Sequence, residues 1–421
     1  MSKRDFWPTL IAANRAGERR GVPSWCTAHP QTLSAVLAAH RVSDEPILIE
    51  ATCNQVNQEG GYTGMTPAAF RRFVEGIAGE AGVDPRRLIL GGDHLGPNPW
   101  KRLSAAEAMA RAREMVKAYV EAGFDKIHID ASMACADEAT VAEATIAERG
   151  AELCAAAEAA GPAGERVYVI GTEVPIPGGE TKELDALAVT HPEAARRTVE
   201  LHRRAFAAHG VEAAMDRVVA VVVQPGVDMG NAQVFGYDRN KAAALSAALR
   251  EIPGVVYEAH STDFQSETAL FDLVATHFAI LKVGPSLTFA FREAVFALAA
   301  IEQRIASPNP SGIVEALERA MDAHPEHWRG YVAAGVDERL MRLYGLSDRV
   351  RYYWPHGEVQ AALGRLFANV DATRVPPGLV SQFAGDMLLE RRGPTLSASV
   401  VAAKVGAVVA KYRRAGGAAL K

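Results

Sequence analysis

The chain has 421 residues, of which 49% are hydrophobic and 23% are charged, and this composition excludes a disordered protein. Its 45 Lys and Arg against 50 Asp and Glu give a formal net charge of −5, which argues against a protein that coats nucleic acid. The longest aliphatic run, Val218 to Val223, is far shorter than the ~20 residues that cross a bilayer, and no secretory signal is visible. Four cysteines without CxxC spacing predict free thiols and, with them, a cytoplasmic location.

The first three-quarters of the chain alternates β-branched runs with longer Ala-rich stretches of helical periodicity. Helix-start signals support the alternation, since Thr66 precedes Pro67 and Ser104 has capping-box spacing to Glu107. The eight predicted strands are Ser24–Ala28, Pro46–Thr52, Leu88–His94, Lys126–Asp130, Val167–Glu173, Arg217–Gln224, Val255–His260 and Phe278–Gly284. Eight such units in ~280 residues predict a TIM (β/α)8 barrel over residues 1–306, with a doubly wound open sheet as the alternative.

The alternation stops after about Ser307, and residues 307–421 are predicted to form a helical extension packed on the barrel or on a partner subunit. Its helices are expected around Ile313–Ala323, Glu358–Val370 and Ala398–Tyr412. Between them, Tyr352, Tyr353 and Trp354 are predicted to be a packing cluster, with a cover over the active site as the alternative. The late histidines His324, His327 and His356 are expected at the surface or in packing.

In a TIM barrel the active site lies at the C-terminal ends of the strands. There, His94 and His260 are predicted to bind one divalent cation such as Zn²⁺, joined by Glu173 or Gln224 as an oxygen ligand. Asp93, beside His94, is the predicted acid–base group. The alternative for either histidine is a hydrogen-bonded structural role.

Strand four ends in Asp130 and Ser132, which are candidates for catalysis and for substrate binding, respectively, and Glu173 is a further catalytic candidate. His128 alternates with two isoleucines on the same strand and is expected to be a satisfied interior residue. The amides Asn54 and Gln55 resemble groups that recognise sugar hydroxyls, although they could also simply close a loop.

The loops after strands seven and eight are predicted to bind a phosphate group, because this fold offers backbone N–H donors and a helix N-terminus there. The residues concerned are Ser261, Thr262, Lys282, Gly284 and Ser286. A phosphate or carboxylate partner is favoured for Lys282 over a Schiff-base role. The absence of GxxxxGK[ST] and of GxGxxG after a strand disfavours a P-loop kinase and a Rossmann dehydrogenase.

Three segments carry a resemblance to a known family: Ile49–Met65, Gly91–Asn98 and Ser347–Pro355. They resemble the Z-type, non-catalytic subunit of D-tagatose-1,6-bisphosphate aldolase, and the likeness extends over essentially the whole chain. Members of that family often carry the label tagatose-6-phosphate kinase, and some relatives are fructose-6-phosphate 4-epimerases.

A more distant likeness is to class II metal-dependent aldolases, which are zinc TIM barrels. The matching positions are Asp93-His94, Gly123–Ser132, Glu173–Gly179 and His260. The strand-six histidine of those aldolases has no counterpart, because Gln224 stands at its position. The resemblance therefore implies an altered metal site, completed by Gln224 or Glu173, and disfavours independent aldolase activity.

Three functions follow as hypotheses. The chain supports a separate catalytic aldolase subunit while keeping a sugar-phosphate pocket, or it epimerises a ketohexose phosphate at C4 by metal-assisted retro-aldol chemistry. The third, the kinase label of the family, has no motif to support it. We expect a sugar phosphate as ligand and a homo-oligomer, with no nucleic-acid or membrane partner.

Overall fold

The computed structural model describes residues 3–162, 166–172, 187–332, 336–385 and 393–417. Eight parallel strands form a closed barrel: β1 (Val22–Cys26), β2 (Ile47–Thr52), β3 (Leu88–Leu95), β4 (Lys126–Ile129), β5 (Val167–Ile170), β6 (Val218–Val223), β7 (Val256–Ala259) and β8 (Phe278–Val283). Neighbours around the barrel follow chain order, and β1 pairs with β8 to close it. The predicted TIM barrel is thus confirmed, and the open sheet is excluded.

Nine helices of the described chain accompany the strands: α1 (Lys3–Arg15), α2 (Pro30–Ala38), α3 (Pro67–Glu80), α4 (Ala105–Glu121), α5 (Glu143–Ala159), α6 (Pro192–Ala208), α7 (Ala243–Ala248), α8 (Glu267–Ala275) and α9 (Pro285–Ile305). The predicted helix starts are present, since the Thr66 side chain caps α3 and Ser104 forms a capping box with Glu107 at α4. A short hairpin pairs Asp228–Met229 with Val234–Phe235 after β6. None of the helices in the described ranges is long and apolar enough to cross a membrane.

Five further helices make up the extension: α10 (Ile313–Ala323), α11 (Glu338–Tyr344), α12 (Gly357–Ala372), α13 (Pro377–Ala384) and α14 (Leu396–Ala415). Helix α14 returns to the barrel and packs against α2, α8 and α9. Its Tyr412 ring lies 5.9 Å, centroid to centroid, from the Trp25 ring of β1, and both belong to one apolar core. Helix α14 of the extension therefore packs on the barrel.

The barrel interior holds a layer of buried charges where branched apolar side chains are usual. Lys126 Nζ lies 2.8 Å from Glu50 Oε1 and 2.9 Å from Glu258 Oε2, and Lys282 Nζ lies 2.8 Å from Glu50 Oε2. All four side chains are almost fully buried. Because an unpaired buried charge is costly, the alternation of lysine and glutamate is what makes this layer tolerable.

Gly91 on β3 makes room for this layer, because a Cβ atom at that position would lie only 2.6 Å from Glu50 Cγ. We expect Gly91→Ala to lower the free energy of unfolding by about 1–3 kcal/mol through overpacking, as measured by urea denaturation. Gly76→Ala is the control, since no atom lies within 4 Å of that Cβ position on α3; it should stabilise the helix by roughly 0.5–1 kcal/mol. Equal stability of Gly91→Ala and the parent would contradict the tight fit at Glu50.

Candidate functional site

A cavity of about 400 Å³ opens at the C-terminal ends of the strands. Strand ends and the loops that follow them contribute Cys26, Asn54, Gln55, Asp93, His94, His260, Ser261, Lys282 and Gly284 to its wall. The extension contributes Arg351, Tyr352, Trp354, Pro355 and Gln360. The aromatic cluster predicted mainly as packing therefore also covers the mouth of the barrel, which was the less favoured alternative.

Three buried histidines form a triangle, and two of them, His94 and His260, line the cavity. The ring centroids of His94 and His260 are 4.8 Å apart, and each lies 5.1 Å from that of His128. Nε2 of His128 is buried and has no hydrogen-bond partner among the described residues. His128, expected to be a satisfied interior residue, instead carries an unpaired nitrogen beside the two predicted metal ligands.

His94 is held in position by the carboxylate of Asp130, whose Oδ2 lies 2.8 Å from His94 Nδ1. Ser132 in turn donates to Asp130 Oδ1 from its hydroxyl at 2.6 Å and its backbone amide at 3.0 Å. Burial opposes ionisation of Asp130, but the contacts with His94 and Ser132 outweigh it and lower the pKa of this carboxyl to about 2. Neither Asp130 nor Ser132 is among the described residues lining the cavity; Asp130 stands behind His94 and orients its ring, and Ser132 holds Asp130 in place.

The backbone of His94 adopts a left-handed conformation, with φ of 51°, and Ser261 does the same on the other side of the barrel. Non-glycine residues rarely adopt this conformation, and strain of this kind concentrates at functional sites. Both residues line the cavity. The backbone is thus strained at two residues whose side chains line the cavity at the mouth of the barrel.

Asp93 is the cavity's buried carboxylate on β3. Its Oδ1 lies 2.8 Å from His128 Nδ1 and 3.0 Å from Lys282 Nζ, and its Oδ2 lies 3.8 Å from His94 Nε2. Burial opposes ionisation, yet the charges of His94 and Lys282 prevail and hold the pKa of Asp93 well below its usual range. An ionised carboxylate facing a cavity can accept a proton from a ligand hydroxyl, which is the role predicted for Asp93.

Lys282 has carboxylate partners, as favoured from the sequence. Burial disfavours its charge, but Asp93 and Glu50 outweigh burial and raise the pKa of the ammonium group, so it does not supply the neutral amine that a Schiff base needs. The neighbouring thiol is also unreactive, because burial raises the pKa of Cys26 to about 12.

The group of possible cation ligands in the structure differs from the predicted pair, because it contains His260 but not His94. Asp93, His128, Glu258 and His260 each offer a ligand atom, and these atoms all lie within 4.8 Å of one another. Burial lowers the pKa of His260 to about 3, so its ring is neutral, as metal ligation requires. A signal for His128 was present in the sequence: on β4 it alternates with Lys126 and Asp130, which places all three on one face of the strand.

The predicted oxygen ligands have different outcomes. Gln224 Oε1 accepts the backbone amides of Gly226 at 2.8 Å and Val227 at 2.9 Å, so this side chain closes its own turn. It is not among the described residues that line the cavity, and its role as a metal ligand stays a prediction. Glu173 lies outside the described residues, and its assignment stays a prediction.

The loops after β7 and β8 are built differently from the predicted phosphate site. Asp263 Oδ1 accepts the backbone amide of Gly284 at 3.1 Å and that of Ser286 at 2.8 Å, so a carboxylate already sits at the N-terminus of α9. The Thr262 hydroxyl donates to the Lys282 carbonyl at 2.6 Å and is itself buried. The Thr262 hydroxyl and the amides of Gly284 and Ser286 are thus already engaged, whereas the buried Ser286 hydroxyl has no hydrogen-bond partner among the described residues. Of the predicted phosphate-binding residues, Ser261, Lys282 and Gly284 line the cavity.

Asn54 and Gln55 line the cavity, on a loop with its own constraints. Gln55 Oε1 accepts the Thr52 amide at 2.8 Å, so Gln55 closes the loop as well as facing the ligand space. Gly61 is required below it, because its φ is +55° and a Cβ there would lie 2.4 Å from the Gln55 carbonyl oxygen. The loop-closing and substrate-facing interpretations of Gln55 are compatible.

The extension builds a cationic aromatic wall above this loop. The Tyr352 ring lies 4.8 Å from the Tyr62 ring and stacks at 4.7 Å on His327, so this late histidine is a packing residue, as expected. The Arg349 guanidinium lies 4.5 Å above the Tyr352 ring, and Arg351 donates to the Tyr352 hydroxyl at 3.1 Å. Sequence reasoning missed Arg351 as a cavity residue because the lining positions contributed by the barrel are far from it along the chain, the nearest being Thr288.

Comparisons with known proteins agree with the sequence resemblance. A D-tagatose-1,6-bisphosphate aldolase subunit GatZ from Shigella boydii serotype 18 is 48% identical over 414 residues, which cover 96% of this chain and 98% of that protein. A GatZ from Escherichia coli O8 (strain IAI1) matches to the same extent. A crystal structure described as a probable tagatose 6 phosphate kinase from Sinorhizobium meliloti 1021 is 47% identical, covers 94% of this chain and all of its own, and has a TM-score of 0.86. The family model for the D-tagatose-1,6-bisphosphate aldolase subunit GatZ/KbaZ-like proteins matches residues 8–417, and the chain belongs to this family.

Proposed function

We propose that the chain supports a separate catalytic aldolase as a Z-type subunit of D-tagatose-1,6-bisphosphate aldolase and binds a ketohexose phosphate in the mouth of its own barrel. The observation that carries the proposal is near-full-length similarity to GatZ subunits combined with a cavity whose wall brings Asp93, His94 and His260 together. The cavity volume of about 400 Å³ lies in the range typical of small-ligand sites.

A divalent cation fits the residues at the base of the cavity. Ligand atoms of His128, Glu258 and His260 lie within 4.8 Å of one another, and Nε2 of His128 is buried without a hydrogen-bond partner among the described residues, so this donor set suits Zn²⁺ or a similar ion. His128, Glu258 and His260 would hold it, and His94 and Glu173 stay the ligands predicted from the sequence. When bound, such an ion would polarise a carbonyl oxygen of the ligand as a Lewis acid.

Each chain residue then has a stated task. Asp93 accepts and returns the proton of a ligand hydroxyl, and His128 and Lys282 hold its carboxylate in place. Asn54 and Gln55 contact sugar hydroxyls from the loop after β2. Because Asp130 fixes the ring of His94, its removal would loosen the site without removing a reacting group.

The orientation of Asp93 into the cavity favours a second candidate function, the interconversion of fructose 6-phosphate and tagatose 6-phosphate at C4. Asp93 would take the proton of the C4 hydroxyl, and the electrons of the C3–C4 bond would move into an enediolate across C2 and C3. The aldehyde would rotate, C3 would attack its other face, and Asp93 would return the proton to the C4 oxygen. A subunit with a supporting role alone has no physical need to keep an ionised carboxylate facing a cavity.

Two further aspects belong to this proposal. A kinase activity, which the description of the Sinorhizobium meliloti structure names, is not supported by any phosphate-binding motif in this sequence.

The location and the assembly complete the proposal. Cys53 and Cys154 are buried free thiols, which suits a reducing cytoplasm. A homo-oligomer stays the expected assembly.

Purified protein tests both functions. With a catalytic aldolase subunit, we expect the chain to raise the activity or the half-life of that subunit on tagatose 1,6-bisphosphate. Alone, we expect it to interconvert the two ketohexose monophosphates, and dialysis against EDTA should lower that turnover at least ~10-fold because the metal site would be emptied. Failure to assist the aldolase would overturn the first function, and failure to convert either monophosphate in the presence of Zn²⁺ would overturn the second.

A further inference from the structure

We propose that Arg351 of the extension, with the hydroxyl groups of Tyr62 and Tyr352, binds the terminal phosphate of the ligand, in place of the loops after β7 and β8. This inference rests on the proposed function, because it concerns where a ketohexose phosphate sits in the same cavity. It assigns the extension a role in ligand recognition in addition to covering the barrel.

The first support is the way Arg351 is fixed. Its guanidinium donates to the backbone carbonyls of Ser347 and Asp348 and to the Tyr352 hydroxyl, while the side chain lines the cavity. Among the residues that the structure describes, no carboxylate forms an ion pair with Arg351. A preorganised guanidinium with donors left over is well suited to a phosphate, which it can bind with two parallel hydrogen bonds.

The second support is the chemistry around Arg351. The Tyr62 and Tyr352 rings lie 4.8 Å apart, the Arg351 guanidinium lies 4.6 Å from the Tyr352 ring, and all three side chains line the cavity. Arg349 adds a second positive charge, stacked 3.7 Å from Tyr331 and 4.5 Å from Tyr352. Hydroxyl donors beside clustered guanidinium groups are what an anion requires.

The third support is that the backbone amides in the loops after β7 and β8, the alternative phosphate site, already have an acceptor. The amides of Gly284 and Ser286 donate to Asp263 Oδ1, so the donors at the start of α9 already have an acceptor. A phosphate placed there would meet the buried Asp263 carboxyl rather than free amides, and its charge would be opposed. Of the two walls, the one that carries Arg351 has the sign of charge that attracts a phosphate.

The ligand class follows from this placement. A ketose with a terminal phosphate would put its anion at Arg351 and its carbonyl and hydroxyl groups towards Asp93 and the histidines, all within one cavity. Affinity for the phosphate would then depend on the extension, and chemistry on the barrel. Unphosphorylated fructose would lack the anchor and bind more weakly.

The test measures dissociation constants of fructose 6-phosphate and of fructose for the zinc-loaded protein by calorimetry. We expect Arg351→Gln to weaken fructose 6-phosphate binding ~10–100-fold, as expected for loss of charge-assisted hydrogen bonds, and to leave fructose binding unchanged. Asp263→Asn is the matched variant at the competing site and should change the affinity for fructose 6-phosphate less than ~3-fold, because the amide oxygen of asparagine still accepts the backbone amides of Gly284 and Ser286 and keeps that site closed.

Arg351→Lys and Tyr352→Phe keep the test decisive if Arg351→Gln does not fold, and each should weaken only the phosphorylated ligand. If the parent prefers fructose 6-phosphate over fructose and the Arg351 variants keep that preference, the assignment to Arg351 is wrong while the proposed function stands. If Asp263→Asn bound fructose 6-phosphate much more tightly than the parent, the phosphate site would have to be assigned to the start of α9 instead. If the parent binds no ketohexose phosphate, the proposed function and this inference both fail.

Discussion

Replacing Asp93 with asparagine is expected to lower turnover of a ketohexose phosphate by ~10²–10⁴-fold, the usual contribution of a positioned acid–base group. Asparagine keeps the size of the side chain but cannot take a proton from the ligand hydroxyl. Lys282 retains Glu50 as a partner at 2.8 Å, so the buried layer stays paired and the protein should fold. Steady-state rates with fructose 6-phosphate and tagatose 6-phosphate, at saturating Zn²⁺, measure the effect.

The same variant separates the two proposed functions, because support of a separate aldolase does not need a proton acceptor in this cavity. We expect Asp93→Asn to assist the catalytic subunit as well as the parent does, and its melting temperature to stay within a few degrees. Asp216→Asn, at an exposed position before β6, is the control and should leave turnover unchanged. Full turnover by Asp93→Asn would rule out Asp93 as the acid–base group.

The barrel was predictable because its signals are local. Each strand is a short β-branched run between helix-start and helix-end residues, and the third strand, predicted as Leu88–His94, spans Leu88–Leu95 in the structure. The position of the site followed from the fold, since the ends of the strands meet at one mouth. Asp93, His94 and His260 therefore lie together as predicted.

The residues that the extension contributes to the cavity could not be predicted from local sequence patterns. Arg351 and Trp354 reach the cavity only because the extension folds back over the barrel, which is a tertiary contact with no sequence period. Thr262 and Asp263 show a second limit, because neighbouring residues of a loop point in different directions. Thr262 faces Tyr412 of α14, and Asp263 turns to the start of α9.

The layer of buried lysines and glutamates in the barrel interior is expected to have a large effect on the stability of the fold. Lys126 is fully buried and pairs with two carboxylates, Glu50 and Glu258. We expect Lys126→Met to lower the free energy of unfolding by about 3–5 kcal/mol, because it leaves two buried carboxylates short of their ammonium partner. Urea denaturation in EDTA measures this loss without a contribution from bound metal.

A second substitution tests whether charge, rather than the shape of the lysine, causes the loss. Adding Glu50→Gln to Lys126→Met removes one of the uncompensated carboxylates, so the double variant should be more stable than Lys126→Met alone, with a coupling energy of about 0.5–3 kcal/mol. The surface pair Lys117–Glu114, 2.8 Å apart and well exposed, provides the control: Lys117→Met should cost less than about 0.5 kcal/mol. If Lys126→Met matched the parent, or if the double variant were the less stable of the two, packing of the lysine stem would explain the layer better than its ion pairs. If the double variant is instead more stable than Lys126→Met and less stable than the parent, the ion pairs themselves stabilise the fold. The positions of Lys282 and Asp93 at the mouth then depend on these pairs.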